Sequence, residues 1–118
     1  VSTEQEMDCD DRCWAIITEL APLDIVARLD FLPNGVPFVR VLLDDYLVVD
    51  CQIDLNAQMR YSIYVRRYSL DGTLESEARP YQSNSWQHAA KCVELAHRVH
   101  EKRIREDLGR IMEEFTSA

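Results

Sequence analysis

The chain has 118 residues, 21 acidic against 13 basic, for a formal net charge of -8, and 47% of it is hydrophobic. That length holds one domain with one core, and the composition excludes wholesale disorder. The acidic balance argues against binding a nucleic-acid backbone, which calls for clustered Lys and Arg, and no apolar run approaches the ~20 residues of a membrane-spanning helix.

The first segment, residues 3–20, reads as a helix. Thr3 with Glu6 matches a capping box, and Asp8, Asp10 and Asp11 offer a later start. Cys13, Trp14, Ile17 and Leu20 recur at spacings of three and four and make one apolar face. Pro22 ends the helix, because proline disfavours helical backbone in the residue before it.

From Asp24 the period changes to two. Over residues 24–32, Ile25, Ala27, Leu29 and Phe31 alternate with polar neighbours, and Pro33-Asn34-Gly35 follows as a hairpin turn. The return strand covers 36–43, with Asp44-Asp45 as the next turn. Residues 46–55 alternate most clearly, through Leu47, Val49, Cys51, Ile53 and Leu55. Asn56 and Ala57 turn the chain into a fourth strand over 60–70, where Tyr61, Ile63 and Val65 share a face. Asp71-Gly72 makes a third turn, opening onto a short edge segment near Thr73–Ser76. Four strands joined by short turns pair as neighbours. The expected fold is therefore α+β: a four-stranded antiparallel meander flanked by an N-terminal helix and a long C-terminal one, in a single domain.

The second helix is expected over 85–115, with Asn84 and Gln87 as a capping box and Gly109 as its one interior breaker. At ~1.5 Å per residue it is roughly 46 Å long. It should therefore overhang the sheet or break at Gly109. The overhang is apolar on one side, with Ile104, Leu108, Ile111 and Phe115 at spacings of four, three and four and Met112 beside them. Such a stripe needs a partner. Folding back on the first helix and pairing with a second copy both satisfy it, and a homodimer is the favoured expectation.

No motif of catalysis stands out: there is no glycine-rich phosphate loop, nucleophile elbow or His-Glu-x-x-His. His97 and His100, with Cys9 and Cys13, offer metal-ligand types, but nothing in the sequence brings the two helices' faces together. His88 and Cys92 lack a third group to orient them. No catalytic, cofactor-binding or metal-ligating residue is assigned, and a non-enzymatic protein is expected. The mixed face of the sheet offers more. Arg28, Arg40, Tyr46, Asp50, Tyr64, Arg66 and Tyr68 combine the Tyr and Arg that are enriched at binding hot spots. The alternative is ordinary cross-strand pairing of aromatics and opposite charges. A sparse set of four cysteines and no evident leader make a reducing cytoplasm the expected compartment.

In size, acidity and helix-flanked sheet, the chain resembles two classes of small acidic proteins. One is the chaperones of type III secretion, from which it departs by lacking a helix inserted mid-sheet. The other is the phage-encoded inhibitors of host defence, such as anti-CRISPR proteins. Either resemblance implies a protein that works by surface contact with a macromolecular complex or an extended client.

Overall fold

The computed structural model describes residues 4–55 and 60–116. A 3-10 turn (Glu4–Glu6) leads into α1 (Cys9–Leu20), a second 3-10 turn (Ala21–Leu23), five strands and a final helix. The strands are β1 (Ala27–Phe31), β2 (Pro37–Leu42), β3 (Leu47–Asp54), β4 (Arg60–Tyr68) and β5 (Leu74–Ser83), and the helix is α2 (Trp86–Thr116). The sheet is antiparallel throughout, in the order β1-β2-β3-β4-β5.

The expectation of four strands is thus corrected to five. The segment from Leu74 to Ser83 has no apolar alternation because it is an edge strand, and nearly all of it is exposed. What makes it a strand is its main-chain ladder to β4, closed by a tight turn. Ser69 N–H donates to Thr73 O at 2.8 Å, Gly72 N–H donates to Ser69 O at 3.0 Å, and Gly72 adopts a φ of +86°. The Asp71 carboxylate accepts from Thr73 N–H at 3.0 Å and from the Ser69 hydroxyl, which lowers its pKa to about 2. Pro80 is tolerated because β5 lies at the edge and its register shifts there: Ile63 faces Tyr81, but Val65 faces Ala78.

α1 begins at Cys9, not at residue 3. Asp8 is its N-cap, with Oδ1 accepting from Asp11 N–H at 2.8 Å. Thr3 of the expected capping box lies outside the described residues, as do Asn56 and Ala57 of the expected third turn. The buried face of α1 is Cys13, Ile16 and Leu20, while Trp14 points to solvent. α2 is capped by Ser85, whose Oγ accepts from His88 N–H at 3.2 Å, rather than by Asn84. It runs through Gly109 without a break.

Both helices lie on one face of the sheet, α1 over β1 and β2, α2 over β3, β4 and β5. Between them and the sheet sits the core: Val39, Val41, Val49, Cys51, Ile53, Tyr61 and Ile63 from the strands, Ala89, Ala90 and Val93 from α2. The odd-numbered positions of the central strands turn inward, as their alternation predicts. The small residues of α2 let it approach the sheet closely, since a bulky side chain there would hold the two backbones apart.

A polar clasp ties the chain's beginning to the start of α2. Glu4 Oε1 accepts from Tyr61 Oη–H at 3.0 Å and from the Trp86 N–H, one of the donors that the first turn of a helix leaves unpaired. Buried Arg12 donates to Tyr61 Oη at 3.1 Å, to Met7 O at 3.0 Å and to Glu4 O at 2.6 Å. Burial keeps the Tyr61 hydroxyl protonated by raising its pKa.

Candidate functional site

Two surfaces carry the residues singled out from the sequence. The first is the outer face of the sheet. The register sets Arg28 opposite Arg40, Arg40 opposite Asp50, and Asp50 opposite Tyr64. The Asp50 carboxylate is 0% exposed although no helix covers it. It is buried by its own neighbours. Arg40 grips it in a fork, Nε to Oδ1 at 2.8 Å and Nη2 to Oδ2 at 2.9 Å. Arg66 Nη1 donates to the same Oδ2 at 2.9 Å, and its Nε reaches Glu77 at 2.7 Å. Asp30 lies 3.7 Å from Arg40 and 3.6 Å from Arg28.

Aromatic rings flank the cations. The Arg40 guanidinium sits 5.1 Å from the Phe38 ring centre and 5.8 Å from that of Tyr68, and Arg66 sits 4.3 Å from that of Tyr64. Hydrogen bonding to Asp50 raises the pKa of Arg40. Burial pulls that of Arg66 down, but its bonds to Glu77 and Asp50 carry it up overall. The structure brings together Arg40, Asp50, Tyr64, Arg66 and Tyr68 of the expected set. Arg28 stands at the margin, and Tyr46 is in the β2–β3 turn, 41% exposed. The sequence reading omitted Asp30 and Glu77, the outer carboxylates. Three guanidinium groups face three carboxylates, so the cluster is charge-balanced within the sheet.

The second surface is the far half of α2. From Glu101 onward every described residue of the helix is exposed. The molecule measures 61 × 33 × 20 Å, and its radius of gyration of 16.4 Å exceeds the ~13.5 Å of a compact chain this long. On this projection Ile104, Leu108, Ile111, Met112 and Phe115 form one stripe, in line with the face that Trp86, Ala90 and Val93 turn to the core. Phe115 is 76% exposed and Met112 64%. The stripe does not fold back on α1. Its five side chains expose on the order of 550 Å² of surface, counting about 200 Å² for a large side chain when bare.

Two hollows flank the root of the projection. One is an open cleft lined by Leu23, Ile25, Glu94, His97, Arg98 and Glu101. The other is a mostly apolar notch of about 240 Å³ between α2 and the sheet, lined by Leu43, Leu47, Val65, Tyr81, Val99 and His100 among others. The His100 Nε2 is buried with no hydrogen-bond partner in the structure.

Of the cysteines, Cys13, Cys51 and Cys92 are buried, and the His88 ring nitrogens lie 4.0 Å from the Cys92 Sγ. Burial pushes the Cys13 thiol up to about 12, helped by Cys9 and Asp10, and burial raises those of Cys9, Cys51 and Cys92 as well. All four are free thiols, protonated at neutral pH and poor nucleophiles. His97 Nδ1 lies 3.4 Å from Glu101, and His88 Nδ1 lies 2.8 Å from the Ser83 hydroxyl. Among the described residues no three His, Cys, Asp or Glu side chains are arranged to hold a metal ion, and no helix is long and apolar enough to cross a membrane. Comparison with protein-family models, with curated proteins and with solved structures finds no match to the chain.

Proposed function

We propose that this protein is a non-catalytic binding module, an inhibitor or adaptor, that assembles as a homodimer through the projecting half of α2 and meets its macromolecular partner with the surfaces left free. The observation that carries this reading is the continuity of the apolar face of α2. The face that seals the core continues over Ile104, Leu108, Ile111 and Phe115 into solvent. An apolar patch of this size is at the upper end of what a monomer's surface carries, where such patches are often functional.

A second copy is the occupant the dimensions favour. Two such stripes buried against each other remove roughly 1,100 Å² from water, just above the ~1,000 Å² a specific interface needs. The outer sheet face supports the reading differently. Its Arg40 and Arg66 side chains are held in place by Asp50, so a partner that binds them there loses little of their side-chain entropy in doing so.

Light scattering tests the assembly. The wild-type chain is expected at twice its 13.7 kDa mass, and the double variant Leu108→Asp, Ile111→Asp at the monomer mass with an unchanged circular dichroism spectrum in its sheet. A wild type that is monomeric at every concentration, or a double variant that keeps the dimer mass, defeats the proposal.

A further inference from the structure

We infer that the two copies pair antiparallel and that the partner's Phe115 docks at the root of the projection, in the apolar notch beside His100. This rests on the homodimer reading and adds to it the orientation, the register and the receiving site.

The orientation follows from what already covers α2. Its apolar face from Trp86 to Ala96 is occupied by the sheet and α1. A parallel partner would continue along that face and collide with the body. An antiparallel partner needs only the free stretch. In that arrangement one register matches all four apolar rungs: Ile104 against the partner's Phe115, Leu108 against the partner's Ile111, and the reciprocal pairs. Moving the register by one heptad toward the body would set the partner's Ile111 against Glu101 and the partner's Phe115 against His97, burying polar groups.

This register brings the last turn of the partner helix to the point where α2 leaves the sheet. There the notch opens between α2 and the sheet, at the β2–β3 turn and the inner stretches of β4 and β5, with Leu43, Leu47, Val65 and Tyr81 on one wall and Val99 and His100 on the other. Its volume of about 240 Å³ takes a phenyl ring, since an apolar cavity of ~150 Å³ already holds benzene. The most exposed side chain of the stripe thus meets a mostly apolar hollow of the body.

The test places the photocrosslinking residue p-benzoylphenylalanine at position 115 of the full chain and irradiates a mixture of isotopically light and heavy copies. The residue stays aromatic, and position 115 packs against nothing in the body. Mixed-isotope crosslinks from position 115 to the peptides holding Leu43, Leu47 or Tyr81 are expected. In parallel, Phe115→Ala should raise the dimer dissociation constant at least about tenfold by sedimentation velocity. A dimer whose crosslinks stay within residues 104–116 of the partner, or whose affinity ignores Phe115→Ala, overturns the docking and leaves the homodimer standing. A chain that sediments as a monomer and gives no mixed crosslink overturns both.

Discussion

The two halves of α2 have the same apolar face and opposite surroundings. From Trp86 to Ala96 that face rests on the sheet and α1, and after Trp86 its buried side chains are small: Ala89, Ala90, Cys92, Val93 and Ala96. From Ile104 to Phe115 it stands exposed among the described residues, and its side chains are large. Small residues suit a fixed, close contact within one fold. Large ones standing in water cost solubility and gain nothing for the isolated chain. The change of residue size along one continuous face separates the part of the helix that builds the domain from the part that waits for another surface.

The strongest test of that contrast places the same charge in each half. Val93→Asp puts an unpaired carboxylate between helix and sheet, at a cost of several kcal/mol. That is a large share of the ~5–15 kcal/mol that holds a domain together. The expected result is loss of the cooperative unfolding transition in urea. Ile111→Asp, eighteen positions further along the same face, should leave the transition of the monomeric body in place. If both variants unfold the chain, the projection is packed after all and the contrast fails.

The outer sheet face refines the contrast, because it is buried without any helix. Asp50→Asn keeps the shape but leaves Arg40 and Arg66 facing each other without their anion. Breaking a buried pair costs ~3–5 kcal/mol, and the partial exposure of both arginines reduces this to about 2–4 kcal/mol. The urea midpoint should fall accordingly, with the dimer constant unchanged. A fall in affinity as large as the fall in stability would tie this face to the assembly.

How much of this was legible in the sequence depends on which faces were half-buried. The central strands β3 and β4 alternate because one side meets the core and the other does not, so Val49, Cys51, Ile53, Tyr61 and Ile63 announce themselves. β5 does not, because an edge strand exposed on both faces has no reason to alternate, and Pro80 reads as a breaker. α1 misleads through Trp14, a large apolar residue that faces water while Ile16 is buried. The outer cluster was legible as a face but not as a bond set. Alternation puts Arg40, Asp50 and Arg66 on one side, but only the register sets them within reach, and Asp30 and Glu77 complete the balance from strands whose pairing the pattern leaves open. The Glu4 clasp could not be read at all, since it joins residues 82 positions apart.

That clasp gives a smaller, sharper test. Glu4→Ala removes the acceptor for the Trp86 N–H and Tyr61 Oη–H, at about 1–2 kcal/mol. Hydrogen exchange should speed up at the amides of Trp86 to Ala90 and stay unchanged beyond Ile104. Equal acceleration along the whole of α2 would make the helix one cooperative unit rather than a docked half and a free half.

The smallest expected effect lies at Gly109. It sits on the exposed back of the projection, its backbone is helical, and an added Cβ would meet nothing within 4 Å. Gly109→Ala should therefore favour the helix by about 0.5–1 kcal/mol through propensity alone. Where that energy registers is the informative part. In a half held by no tertiary packing, helix and coil exchange locally, since most helical stability in proteins comes from packing. At concentrations that keep the chain monomeric, the gain should appear as slower amide exchange from Arg103 to Phe115 and a stronger helical circular dichroism signal. The urea midpoint of the body should stay where it was. Under dimerising conditions the same substitution should tighten association, because a helix already formed has less entropy to lose when it pairs. An upward shift of the global midpoint in the monomer would mean that the projection unfolds together with the body, and that the two halves of α2 differ in neighbours but not in stability.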